Sequence, residues 1–135
     1  VYEKDKRLSL NFGHTFAHAI EMATQKIFNK EIFRHGEAVG IGILCELYYS
    51  NKSKSKIEII TENLLKKYKL PTRVQENRNF KYQKIHSEIF KFVFLDKKKI
   101  GKHPRYIDLK KIGLPKIKLL ENHHLINETI SKFLS

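Results

Sequence analysis

Tryptophan is absent from this sequence, and cysteine and methionine occur once each. A single thiol, Cys45, excludes a disulfide framework within the chain and leaves no thiolate cluster for a metal. It lies in the apolar stretch from Ile41 to Leu47, where a free cysteine reads as a buried structural thiol. A reducing, cytoplasmic setting is the expectation. No apolar run approaches the roughly 18 residues of a membrane span. The first ten residues are too mixed and polar for a signal peptide. Glycine is sparse, with six residues, and no Gly-rich dinucleotide loop is formed. Gly36, Gly40 and Gly42 fall at the start of, or within, a helical pattern. Internal repeats and low-complexity segments are also missing.

Acidic residues are outnumbered, 14 against 27 basic ones, which leaves a net charge of +13. Three readings compete for that charge: nucleic acid, an anionic small molecule such as a sugar phosphate, and a solvated lysine-biased surface. The basic residues are mostly lysines scattered over helical faces, as in Lys66-Lys67 and Lys110-Lys111. No zinc finger or RNA-recognition aromatic pattern accompanies them, so nucleic acid is disfavoured. With 135 residues, 41% of them hydrophobic, one domain with one core is expected.

Helical spacing dominates. Phe16, Ile20, Ala23 and Ile27 recur at three- and four-residue steps and predict a helix from about His14 to Ile27. A second is predicted from about Gly36 to Ser50, with Val39, Ile43, Leu44 and Leu47 inward. Glycine costs helix stability, so Gly40 and Gly42 in one helix suggest close approach by another backbone or a ligand. A third helix, roughly Ser55 to Tyr68, carries Ile57, Ile60, Leu64 and Leu65 as its stripe and stops at Leu70-Pro71. A fourth turns Ile85, Ile89, Phe92 and Val93 inward and closes at Asp96 to Lys99. Arg105 to Leu109 is the best strand candidate. A last helix covers about Glu121 to Leu134. The expected fold is a mainly α helical bundle with at most a short strand or hairpin.

The chemistry sits near the start. Arg7, Asn11, His14, His18 and Glu21 are separated by four, three, four and three residues, which places them on one helical face. Two histidines at i and i+4 can converge on one metal ion or ligand. A bare pair of this kind is more often a solvated face. Here Gly13 marks a tight turn into the helix, and Arg34-His35-Gly36-Glu37 supplies another histidine at a second helix start. His14, His18 and His35 are therefore expected to line one polar site. His86, His103, His123 and His124 read as surface, loop or helix-start residues.

The run from Leu10 through Asn11-Phe12-Gly13-His14-Thr15-Phe16-Ala17-His18-Ala19-Ile20 to Glu21 resembles the dehydroquinate synthase signature L-N-x-G-H-T-x-x-H-A-x-E. His35-Gly36-Glu37-Ala38-Val39, followed by Gly40-Ile41-Gly42, is similar to that family's H-G-E-A-V-x-x-G segment. Leu70-Pro71 matches the usual end of a later helix. Asp96-Lys97-Lys98, then Arg105 and Ile112-Gly113, resembles its D-K-K tail. The resemblance implies the C-terminal metal- and substrate-binding domain of an enzyme that converts a seven-carbon keto sugar-acid phosphate to 3-dehydroquinate, in the shikimate pathway. It implies a divalent metal, zinc or cobalt, held by His14 and His35, and NAD held mainly by an N-terminal domain outside these residues. It implies that His18 assists proton transfer or phosphate loss, that Arg7 and Asn11 contact substrate, and that one or both of Lys97 and Lys98 pair with its anionic groups. Glu21 and Glu37 would support the histidines or the helix ends.

The family's third metal ligand, a glutamate, and a substrate lysine would precede Val1, so residues 1–135 alone are expected to be inactive. The complete enzyme is expected to be a homodimer. Two enzyme rivals share parts of this pattern: another sugar-phosphate cyclase, and an iron- or zinc-dependent alcohol dehydrogenase. A basic helical nucleic-acid module is the rival of a different class. The ungapped signature favours the dehydroquinate synthase resemblance over all three.

Overall fold

In the computed structural model, described for residues 13–51, 56–74, 82–99, 105–108, 116–119 and 122–134, the chain is mainly α with one small hairpin. Helix α1 (His14–Phe28) forms where the sequence spacing gathers Phe16, Ile20 and Ala23 on one side, and all three are buried. It stops at Asn29, which adopts left-handed φ and donates its N–H to the Gln25 carbonyl. Asparagine tolerates that conformation better than most residues.

Helix α2 (His35–Asn51) is the central element. The expected stripe was too narrow: Leu44 and Leu47 are buried, but so are Ala38, Ile41, Cys45, Tyr48 and Tyr49. A helix covered on several sides needs apolar groups all round, and α2 touches α1, the next helix, the last helix and the first strand. Burial, reinforced by the neighbouring Glu46 carboxylate, pushes the Cys45 thiol well above its usual range, so the sulfur is inert as a nucleophile.

Helix α3 (Lys56–Lys67) corrects the sequence reading. Of the expected stripe, Ile60 and Leu64 are exposed, while Glu58 and Glu62 are buried. Leu65 alone of the four packs against the core as a partly buried residue. The physical reason lies just beyond the helix. Arg73 reaches back to Glu62, Nη1 to Oε1 at 3.2 Å, so a charged pair is turned toward the body of the chain. Lys69, with φ of 58°, closes α3: its N–H bonds the Lys66 carbonyl, and that of Leu70 bonds the Leu65 carbonyl. This is a Schellman closure with lysine in the place usually given to glycine.

Helix α4 (Tyr82–Lys99) buries Ile85, Ile89 and Val93, with Phe92 partly buried beside them, as its spacing implies. Strand β1 (Arg105–Asp108) forms where a strand was expected. Its antiparallel partner β2 (Lys116–Leu119) was not foreseen; Arg105 pairs with Leu119 and Asp108 with Lys116. Helix α5 (His123–Leu134) begins at an Asn122 cap, whose Oδ1 accepts the Leu125 N–H at 3.0 Å. Phe16, Ile20, Leu44, Ile89, Ile126 and Phe133 join four of these helices in one apolar cluster. His86 is a half-buried residue between two helices. Its Nε2 faces Asn127 Oδ1 at 3.0 Å and its Nδ1 faces Ser131 Oγ at 3.3 Å, tying α4 to α5. His123 packs its ring on Phe90 and Phe94. His103 lies outside the described residues.

An ion pair ties α1 to α4. Lys26 Nζ donates to Glu88 Oε2 at 3.0 Å, with Lys91 Nζ at 3.6 Å from the other oxygen. The Lys26 hydrogen bond holds the Glu88 carboxyl below its ordinary value, outweighing burial, which acts the other way. A lowered folded-state value means that the unfolded chain binds the proton more readily. The stabilisation is therefore complete above the unfolded value, near pH 4.5, and is lost as pH falls through the folded one. Glu88→Gln should cost about 1 kcal/mol or less at pH 7, because Lys26 is largely exposed. The gap to wild type in denaturant unfolding should close as the pH is lowered below that point. An unchanged gap between neutral and strongly acidic pH would refute this role.

Candidate functional site

Two helix starts meet here. Gly13 precedes α1 with φ of 84°, a conformation open to glycine at little cost. Its carbonyl accepts the Ala17 N–H at 3.0 Å, the first bond of the helix. Gly42 of α2 lies directly against that carbonyl: a methyl group on Gly42 would land on the Gly13 oxygen. The close backbone approach suggested by two glycines in one helix thus occurs at Gly42, and its partner is the turn that launches His14.

The contact carries His14 and His18 to the first turn of α2, where His35 stands. Ring centroids are 5.2 Å apart for His14 and His35, 5.6 Å for His14 and His18, and 5.8 Å for His18 and His35. His14 is half-buried, while His18 and His35 are exposed. The two glutamates of the motifs are also engaged. Glu21 Oε1 lies 2.8 Å from His35 Nδ1. With Nδ1–H donating to the carboxylate, the lone pair of His35 sits on Nε2, the pattern by which carboxylates orient metal-binding imidazoles. Glu37 Oε1 accepts the Arg34 N–H at 2.8 Å, the reciprocal half of a capping box at the start of α2. Arg7 and Asn11 lie outside the described residues, as do the side chains of Lys97 and Lys98 in the last turn of α4.

This donor set fits a divalent cation. A ring centroid sits about 1.1 Å behind its donor nitrogen, so metal–nitrogen bonds of about 2.1 Å at a tetrahedral angle place two centroids about 5.2 Å apart. The His14–His35 separation has that value. Among the described residues, the three donor atoms that converge are one each from His18, Glu21 and His35, all within 4.8 Å of one another; His14 joins them by ring proximity. Glu21 in that grouping is already committed to His35. Imidazole nitrogens, with one ring oriented by a carboxylate, suit a borderline ion such as zinc.

Sequence reasoning missed Glu46. It is 1% exposed, and its Oε2 accepts the Gly13 N–H at 2.8 Å. The available signal was its position as the lone charge in the apolar run from Val39 to Tyr49.

Fold and site together define a helical domain that presents a three-imidazole cluster at the junction of two helix starts. Residues 1–99 match the family model described as 3-dehydroquinate synthase C-terminal. The chain belongs to the 3-dehydroquinate synthase family. It is 36% identical over 139 residues to the 3-dehydroquinate synthase of Vesicomyosocius okutanii, an alignment covering 97% of this chain and 34% of that protein. It is 43% identical over 117 residues to that of Clostridium perfringens, covering 82% and 30%. It is 35% identical over 140 residues to that of Helicobacter pylori, covering 98% and 35%. The chain thus spans about a third of the length of these relatives. Among the described residues, no helix is long and apolar enough to cross a membrane.

The glycine contact makes a direct prediction. Gly42→Ala sets a methyl against backbone, which cannot swing aside, and should cost about 1–3 kcal/mol of stability, as overpacking does. Gly36→Ala, in the same helix with nothing within 4 Å of the added carbon, should be neutral or stabilising by up to about 1 kcal/mol. Urea unfolding of both variants checks this. Equal effects at the two positions would contradict the contact.

Proposed function

We propose that this chain is the metal- and substrate-binding part of a 3-dehydroquinate synthase. The complete protein would convert 3-deoxy-D-arabino-heptulosonate 7-phosphate to 3-dehydroquinate and phosphate, in the shikimate pathway. The observation that carries this reading is the convergence of His14, His18 and His35 at 5.2–5.8 Å, built by the two motifs of the family to which the chain belongs. The part of the relatives outside this chain would hold NAD and the remaining site residues, and the complete enzyme would work as a homodimer.

Residues of this chain take separate roles. His14 and His35 would hold a divalent ion, zinc or cobalt, through one ring nitrogen each. Such an ion supplies Lewis-acid polarisation of a substrate oxygen when bound. Glu21 would keep His35 in the tautomer that leaves Nε2 free to bind. His18, one turn beyond His14 and exposed, would move a proton at its free ring nitrogen during phosphate loss. Arg7, Asn11 and one or both of Lys97 and Lys98 would bind the carboxylate and phosphate of the substrate, anions that guanidinium and ammonium groups pair with most strongly. A net charge of +13 favours capture of such a ligand.

The complete enzyme distinguishes these roles by substitution. His14→Ala and His35→Ala should abolish metal retention. His18→Ala should keep the metal and lose about 10²–10⁴-fold in turnover, the usual contribution of a positioned acid or base. Metal content of each purified variant, measured beside its turnover, decides the assignment. A His18→Ala enzyme emptied of metal, beside a His14→Ala enzyme that keeps it, would reverse the two roles.

A further inference from the structure

We propose that Glu46 is a positioning residue for the histidine cluster: its buried carboxylate fixes the Gly13 turn and thereby the aim of His14. Glu46 lies one helical turn after Gly42, so both meet the same partner from α2. Gly42 abuts the Gly13 carbonyl, and Glu46 accepts the Gly13 N–H at 2.8 Å. The residue before His14 is thus gripped at its N–H and its carbonyl by a single helix.

The grip answers a local problem. Gly13 stands in the N-cap position of α1 and has no side chain with which to satisfy the first amides of the helix. In a capping box, a glutamate three residues along reaches back to the N-cap N–H. Here the third helical residue is Phe16, buried in the core, and Glu46 from another helix does that work. A carboxylate is suited to it, because the N-terminal end of a helix carries partial positive charge and a bond to an ionised acceptor is roughly twice as strong as a neutral one. Since φ of 84° is one of several conformations open to glycine, the Gly13 turn has to be selected from outside, and the Glu46 bond selects it. If the bond is lost, α1 persists on its apolar face, but its first residue, His14, is no longer held toward His35.

The proposal rests on the metal-binding reading of His14 and His35, so its test has one arm that depends on zinc and one that does not. In the complete protein, Glu46→Leu removes the acceptor and Glu46→Gln keeps an oxygen in its place. Thr129→Val, which removes a buried hydroxyl that bonds the Leu125 carbonyl in α5, controls for lost stability. In the zinc-free protein, the Gly13 amide proton should be shifted downfield and slow to exchange in wild type and Glu46→Gln, and should lose both properties in Glu46→Leu. In zinc titrations, Glu46→Leu should bind about 10–100-fold more weakly, the usual effect of losing a group that supports a ligand. Glu46→Gln should stay within roughly threefold of wild type, and Thr129→Val should bind as wild type does. A Gly13 amide indifferent to Glu46→Leu overturns the proposal. So does wild-type zinc affinity in that variant, or equal weakening in Thr129→Val. Should Glu46→Leu fail to fold, a Glu46→Gln protein with an unprotected Gly13 amide overturns it equally. Wild-type protein that binds no zinc sinks the metal reading instead, and the amide measurement then decides the role of Glu46 by itself.

Discussion

The contact between Gly13 and Gly42 is the constraint on which the rest of the site depends. A helix pair normally keeps its axes 8–10 Å apart because side chains fill the space between them. Here the first peptide of α1 rests on the backbone of α2, a distance that only the absence of a β-carbon permits. His14 follows that peptide directly and His18 follows one turn later on the same face. His35 begins α2 itself. The proximity of the three imidazoles is therefore a consequence of how two helix starts are packed, with apolar burial of Phe16, Ile20 and Leu44 pressing the helices together.

Carboxylates complete the arrangement, each at a backbone or imidazole N–H. Glu46 takes the N–H of Gly13, Glu37 that of Arg34, and Glu21 that of His35. Two of these are helix starts, where unpaired amides and the helix dipole favour an anion. The third orients a ring. In a chain with so few acidic residues, three of the 14 lie at this one junction. Lysines are distributed differently. Lys26 and Lys91 serve a buried carboxylate on α4, and Lys66 and Lys67 end α3, where cations complement the dipole.

Much of this could be read from the chain, for identifiable reasons. Helices α1, α4 and α5 were legible because their buried residues recur at helical spacing and have one apolar side. The proximity of the motif histidines was expected from the i, i+4 spacing of His14 and His18 and from the second motif, which places His35 at a helix start. Periodicity failed at α3, where Ile60 and Leu64 mark an apolar side that these residues leave exposed. Spacing reveals that a face exists and says nothing of which neighbour covers it. The burial of Glu58 and Glu62 was not foreseen for the same reason, since the pairing of Glu62 with Arg73 is a property of the folded chain. Strand β2 escaped because the alternation of Lys116-Ile117-Lys118-Leu119 is short and its pairing with β1 is non-local. Glu46 escaped because its partner is a backbone amide 33 residues away; its place as a lone charge in an apolar run marks it as unusual without naming that partner. Arg7, Asn11, Lys97 and Lys98 stay with the motif reading, their side chains lying outside the described residues.

In the proposed reading, the packing of α1 against α2 aims His14 and His35 at one cation, with Glu21 behind His35 and His18 beside the ion. Crystallography of the complete, zinc-loaded protein with data collected at the zinc absorption edge tests it most directly. One anomalous peak is expected about 2.0–2.1 Å from a ring nitrogen of His14 and from Nε2 of His35, with Glu21 still bonded to His35 Nδ1. A peak coordinated by His18, Glu21 and His35, with His14 turned away, would contradict it.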